Sequence, residues 1–469
     1  MKIPFSPFLE ASAPLLRALV DKLSREFRYA SILGTDCRGK RHSVTTTQTS
    51  YTDSSWSERG FVARVHNGEN YAEYAFNELS EELLDDTAAQ IRKTAARRLS
   101  NPRLAYPLPD ETETRLAEFS DVQTLPDSLS AEAKLSKLEA MKNRASTLAP
   151  GLVSFGASYE EMHVSKIFLS AKKELRQAYV WSSGMLHAVV RREEKTRMSY
   201  EVVSGLQGAE LLDELETKLE RTVREAEMLL DAGTVAPGEY EIICSPSVTG
   251  VIAHESFGHG VETDMYVKGR AKSAAYLGKR VASPLVTLRD AARAARQTGS
   301  YAFDDEGSLG SDTVVIKDGV FQSGISDVLS ASLLNQKPTG NGRRQSYERK
   351  AYARMTNTFI EPGKDKLDDM IASIPKGYLL EKISSGMEDP KNWGIQLMIL
   401  YGREILDGKL TGNVVSPVIL TGYVPDVLNA VSMVSADMEL HGGACGKGYK
   451  EFAKVSDGGP YIKTRARLG

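Results

Sequence analysis

The sequence predicts an α+β chain of two domains, a mixed helix/sheet domain over residues 1–234 and a β-rich domain over 235–469 that carries a candidate metal-binding helix. Three observations carry this prediction. The chain has 469 residues, more than a single hydrophobic core usually serves. Its apolar periodicity alternates between helix and strand in the first half, then turns mainly to strands and loops. Between the two patterns lies Ala232-Gly233-Thr234-Val235-Ala236-Pro237-Gly238, whose composition is that of a linker.

In chain order, Leu15, Leu16, Leu19 and Leu23 form a helical stripe within about 7–27. Ser80 precedes a second stripe at Leu84, Ala88, Ile91 and Ala95, with Pro102 as its stop. A third helix, about 128–148, turns Leu135, Leu138 and Met141 inward and ends at Pro150-Gly151. From about Val164 to Val203 the period changes to that of strands, with a turn expected at Ser182-Ser183-Gly184. Leu211, Leu215, Leu219, Val223, Ala226 and Leu230 define a long amphipathic helix suited to covering a sheet. Past the linker, Glu239 to Cys244 reads as a strand, with Pro246 as the turn. Ser247 then caps a helix through Val248, Val251 and Ile252 to His254. Asp318-Gly319 and Asp407-Gly408 each follow an apolar run and predict hairpins.

Composition narrows the function classes. The formal net charge is −3, from 59 basic and 62 acidic residues, which gives no footing for nucleic-acid binding. Three cysteines cannot all pair, so a reducing cytoplasm is expected. The start, Met-Lys-Ile-Pro-Phe with Glu10 soon after, has no continuous apolar run. No later stretch has about 18 apolar residues, so neither a signal peptide nor a membrane span is expected.

The chemistry concentrates in His254-Glu255-Ser256-Phe257-Gly258-His259. Two imidazoles can hold a zinc ion while the adjacent carboxylate reaches water beside it. The spacing is one residue longer than His-Glu-x-x-His. On a regular helix the second ring would rotate off the shared face, so the helix must widen or open near Gly258. Gly258 and Gly260 permit either distortion. A catalytic zinc site needs a third protein ligand. Cys37 sits in what reads as a loop without other soft ligands, and Cys244 reads as a core residue. Cys445, between glycines and near Lys447, is preferred, with Glu262 and Asp264 as oxygen alternatives. The remaining histidines His42, His66, His163 and His187 lack ligand spacing and read as structural or exposed. His441 lies four residues before Cys445 and is a candidate for the substrate side. Gly340 to Arg344 lacks the Gly-Lys-Ser/Thr ending of a nucleotide loop. Arg343 and Arg344 there could anchor a peptide carboxylate or brace the acidic Asp304-Asp305-Glu306; Tyr347 is a further substrate-side candidate.

The chain resembles the TldD/PmbA-type metallopeptidases. The resemblance rests on His254 to Gly260 followed by Glu262, on Phe303-Asp304-Asp305-Glu306-Gly307, and on Pro338 to Arg344. Arg354-Met355-Thr356-Asn357-Thr358 and Ala444-Cys445-Gly446-Lys447 complete it, in the same order. It implies a zinc peptidase with His254, His259 and Cys445 as ligands and Glu255 as catalytic carboxylate. It further implies two-domain subunits pairing around an enclosed cavity, as a homodimer or a heterodimer with a paralogue, and short or unfolded peptides as substrates. The segment from Ile383 to Leu420 departs from the family pattern, and no substrate residue is assigned there. Two other readings remain at the sequence level: a non-catalytic peptide-binding partner subunit, and a zinc hydrolase of non-peptide amides.

Overall fold

Strands gather into two large sheets, one before and one after the Ala232–Gly238 segment, in a computed structural model that describes residues 1–99, 105–108, 111–448 and 451–469. The chain is α+β. The first sheet has eight strands, built around the long antiparallel strands Tyr29–Thr45, Leu152–Ser170 and Lys173–Arg192. Helices Pro7–Leu23 and Leu84–Leu99 cover one end of one face through Leu16, Leu19 and Ile91, packed on Ile32, Phe61 and Ile167. Ala131–Leu148, Leu211–Thr217 and Leu219–Met228 cover its other end through Leu138, Leu215 and Val223. Alternation along the strands turns Leu33 and Phe168 to the opposite face, where they meet Ala302 and Phe303 from the second half of the chain.

The second sheet has eleven strands. Five of them, Gly238–Cys244, Lys376–Asp389, Gly394–Leu406, Val418–Tyr423 and Glu451–Leu468, close into a ring, because the first pairs with both Lys376–Asp389 and Glu451–Leu468. Helix Pro246–Phe257 packs on this ring through Val248, Ile252 and Phe257, all buried. Strand Met433–Lys447 pairs with Glu451–Leu468 along one edge, and Ser435 near its start makes an isolated bridge to Asp365. No helix among the described residues is long and apolar enough to cross a membrane.

Several expectations need correction. Strand Lys173–Arg192 runs straight through Ser182-Ser183-Gly184, which pair with Leu152–Ser170 on one side and Lys195–Gly205 on the other. The small residues there make room for a helix: a Cβ on Gly184 would lie 2.9 Å from Leu215 Cδ2. The predicted long helix breaks at Lys218 into two, although every residue of its stripe is buried. The candidate metal-binding helix begins at Pro246 with Ser245 as N-cap, since the fixed φ of proline suits the first helical position. Cys37 is a buried strand residue, paired across to Glu58 and Val164. The stop expected at Pro102 lies outside the described residues. Both Asp-Gly hairpins form, with positive φ at Asp318, Gly319, Asp407 and Gly408.

Candidate metal centre

The helix that carries His254 is brought against strand Glu451–Leu468 by a glycine contact. A Cβ on Gly250 would lie 2.5 Å from the amide nitrogen of Gly458, so only glycine allows the backbones this close. The α-helix ends at Phe257; Gly258 caps it and His259 begins a 3-10 turn, so the helix opens rather than widens. A Cβ on Gly258 would meet the carbonyl oxygen of His254 at 2.3 Å and Met355 Sδ at 2.1 Å. With the helix open, the two rings stand edge to face with centroids 5.1 Å apart. Cys445 arrives from strand Met433–Lys447 with its Sγ 3.1 Å from His259 Nε2. One donor atom from each of His254, His259 and Cys445 lies within 4.8 Å of the others.

His259 turns its Nδ1 to the buried carboxylate of Glu262, and His254 turns its Nδ1 to the half-buried carboxylate of Asp457. His259 Nδ1 is 3.3 Å from Glu262 Oε2, and His254 Nδ1 is 3.7 Å from Asp457 Oδ2. A carboxylate behind an imidazole fixes ring orientation and raises the basicity of a metal-binding nitrogen. Glu262 therefore stands behind a ring rather than beside the sulfur. Asp264 is taken up by Lys447 at 2.6 Å and Lys268 at 3.0 Å. Lys447 also reaches Glu262 at 3.0 Å, so it serves this carboxylate pair. Arg354, buried, donates to the carbonyl of Cys445 at 2.5 Å and to that of Glu451 at 2.8 Å, bracing the turn that presents the cysteine. Behind it, buried Asp290 accepts from Asn341, Thr356 and Thr358, which ties the Pro338–Arg344 and Arg354–Thr358 segments together.

The electrostatics favour a thiolate. Burial alone would raise the Cys445 thiol, but hydrogen bonds from His254 and His259 overcome it and bring it down to about 5. Burial works against charge on both rings, yet both are raised, His254 through Cys445 and His259 first through Glu262. Glu262 is held at about 2 despite its burial, by Lys447 and His259. A soft sulfur and two imidazoles, each backed by a carboxylate, form a donor set that suits zinc. His254 Nδ1 is buried without a hydrogen bond, and the nearby Asp457 carboxylate stands just beyond bonding distance from it.

These donors line a cleft of 740 Å³ together with Glu255, Gly386, Met387 and Glu388. Glu255, one residue after His254, packs its Cγ beside Gly386, where a Cβ would come within 3.0 Å. Glu388 and Asp457 went unmarked in the sequence. Neither sits in a spacing that singles it out, and Glu388 falls in the Ile383–Leu420 stretch that departs from the family pattern. Both carboxylate oxygens of Glu388 are buried without a hydrogen-bond partner. Burial, opposed by His259 and reinforced by Glu255, pushes it up to about 8.

The other predicted residues lie elsewhere. Arg343 donates to the carbonyls of Met355 and Lys454, both at 2.6 Å. Arg344 pairs with Glu73, and its backbone amide donates to Asp305 at 2.8 Å. Tyr347 packs over Gly60 and, with Arg344, lines a neighbouring bay. His441 faces a separate cavity on the far side of Gly443, shared with Asp457. Cys244 is a core residue whose thiol burial pushes up to about 12.

Comparison with known proteins points the same way. A profile of the PmbA/TldA metallopeptidase C-terminal domain matches residues 237–466. A protein of Methanothermobacter thermautotrophicus named "Metalloprotease" is 31% identical over 318 residues, covering 67% of this chain and 69% of its own. The "Zinc metalloprotease TldD homolog" of Saccharolobus solfataricus is 26% identical over 411 residues, or 87% of this chain and 89% of that one. Among solved structures, TldE from Thermococcus kodakarensis superposes with a TM-score of 0.76 at 19% identity, over 97% of this chain and all of that chain, which is a likeness of fold.

Proposed function

This chain belongs to the TldD/PmbA metallopeptidase family, and from that premise we propose that it is a zinc-dependent peptidase acting on short or unfolded peptides, with His254, His259 and Cys445 as ligands and Glu255 as its general base. The observation that carries the reading is the meeting of these three donors in one cleft with Glu255. A zinc ion there would supply Lewis acidity, making water a nucleophile near neutral pH and polarising a carbonyl. The residues of the chain do the rest. Glu262 and Asp457 hold the rings, and Arg354 holds the cysteine turn. Glu255 takes a proton from the attacking water onto its carboxylate, then passes it to the amide nitrogen as the C–N bond breaks.

The substrate pose proposed is an extended peptide alongside the Gly443–Lys447 end of strand Met433–Lys447, beyond the contacts that Ser435, Leu440 and Gly442 make with Asp365, Gln297 and Ser204. The side-chain position of Gly443 opens on empty space, which leaves room for such a chain. Main-chain pairing of this kind binds with little side-chain preference and excludes folded domains. The same reading takes the working particle to be a dimer, of two copies or with a paralogue, enclosing the cleft. It assigns residues 1–234 and 235–469 to separate domains, and its free thiols suit the cytoplasm.

The test is zinc content together with hydrolysis of unstructured peptides by wild type and Glu255→Gln. One zinc per chain with hydrolysis lost only in the variant supports the proposal. Zinc without cleavage of any peptide favours an amide hydrolase of another kind, and absence of zinc favours a peptide-gripping partner subunit.

A further inference from the structure

The cleft at the metal centre has Tyr352 and Glu451 in its wall. Glu451 also lines a second bay of 790 Å³, bounded by helix Leu84–Leu99 and the Tyr347–Lys350 segment. Two cations approach the Tyr352 ring, Lys268 of the cleft with its Nζ at 5.7 Å and Lys350 of the bay with its Nζ at 5.4 Å from the centroid. Within the bay, Arg98, Arg349 and Lys350 stand with three acids, two of them Glu348 and Glu451. The third, Glu73, is neutralised by Arg64 and Arg344, which hold it down at about 2 against its burial. The exposed guanidinium groups of Arg98 and Arg349 make no ion pair among the described residues, nor does that of Arg270 on the near side of Tyr352.

The opposite end of the cysteine strand has another character. Beyond Gly443 lies a cavity of 250 Å³ lined by Tyr200, Val251, Ile383 and Tyr461, with Glu439 and Asp457 as acids; its cations Arg221 and Lys382 are both paired with Glu201 and Glu225. A peptide running along the strand edge would have an apolar and acidic wall on one side of the metal centre and unpaired arginines on the other.

We propose that the arginine bay selects peptides carrying acidic residues on one flank of the scissile bond, several residues away from it. The proposal rests on the peptidase reading for its substrate, but its own content is charge recognition, which binding alone reveals. Arginine suits carboxylates because its planar fork donates two parallel hydrogen bonds. A peptide is favoured over a nucleic acid because the bay shares Glu451 with the cleft that holds Glu255, and because the chain as a whole is acidic, at −3.

The test uses full-length, zinc-loaded Glu255→Gln and fluorescent peptides of one length with a shared central sequence. The flanks are neutral, acidic on the N-terminal side, acidic on the C-terminal side, or basic. Fluorescence anisotropy should find one acidic placement bound about tenfold more tightly than the neutral peptide, the size expected of a few exposed ion pairs. The gain should fade as salt rises. It should also vanish when Arg98→Glu and Arg349→Glu are combined. Equal binding of all four peptides, equal gain from both acidic placements, or a preference surviving the double charge reversal would each overturn the proposal. So would tighter binding of a single-stranded oligonucleotide than of the acidic peptide. If the preference holds but wild type hydrolyses nothing, the bay stands and the peptidase reading falls.

Discussion

Cys445 is where residue-scale physics is most visible: a buried thiol would keep its proton, and two imidazoles remove it. A cation placed there must in turn displace protons from those rings, so zinc affinity should fall as pH drops, as isothermal titration at several pH values would record. Cys445→Ala removes the sulfur, and purified protein should then hold far less than one zinc per chain by elemental analysis. Glu255→Gln should keep its zinc and lose about 10²- to 10⁴-fold in peptide turnover, the usual worth of a general base. The grouping of His254, His259 and Cys445 was legible because the chain has only seven histidines and three cysteines and the spacing of the pair has a chemical meaning. Glu388 was not, because an isolated glutamate in a strand looks like any solvated one until its neighbours are known. It is an acid whose folded pKa, about 8, lies above the ordinary value of 4.5 because of its burial. The folded state thus binds the extra proton between those limits, and stability declines as pH rises through them. Glu388→Gln should flatten this part of the stability–pH curve of the metal-free chain, its advantage over wild type growing from near zero at about pH 5 to a maximum above about pH 8. An unchanged curve by thermal unfolding would mean that Glu388 ionises freely.

Among elements, the helix Pro246–Phe257 decides whether the site exists. Its seat on strand Glu451–Leu468 depends on Gly250 touching Gly458, backbone to backbone. Gly250→Ala should cost about 1–3 kcal/mol, as overpacking does. It should also weaken zinc binding, because lifting the helix moves His254 away from Asp457 and Cys445. Chemical denaturation and metal titration check the two effects separately. A distortion near Gly258 was readable from spacing, since histidines five positions apart cannot share a regular helical face, and the structure takes the opened form. The Asp-Gly hairpins were readable because two successive positive φ values demand such residues. Ser182-Ser183-Gly184 misled because small polar residues signal a turn locally, while here they make room for Leu215 on a sheet paired along both edges. The break at Lys218 and the seventeen-residue strand Tyr29–Thr45 were likewise set by partners distant in sequence.

At the scale of the whole molecule, the acidic-glycine segment latches the second half of the chain to the first. Glu306 pairs with Arg64 at 2.5 Å, Asp305 with Lys166, and Phe303 accepts from Gln177 at 2.9 Å. Removing one partner of a buried pair strands the other, so Arg64→Ala should destabilise the chain by about 3–5 kcal/mol in denaturant unfolding. The α+β class could be read from periodicity, but not the ring of five strands, whose closure depends on Gly238–Cys244 pairing with the C-terminal strand. That closure also brings Cys445 within reach of His259, 186 positions earlier in the chain. X-ray absorption at the zinc edge of the loaded protein tests this meeting most directly. The account predicts one sulfur at about 2.3 Å and two imidazole nitrogens at about 2.0–2.1 Å, with the sulfur lost in Cys445→Ser. A first shell of nitrogen and oxygen alone in the wild type would contradict it.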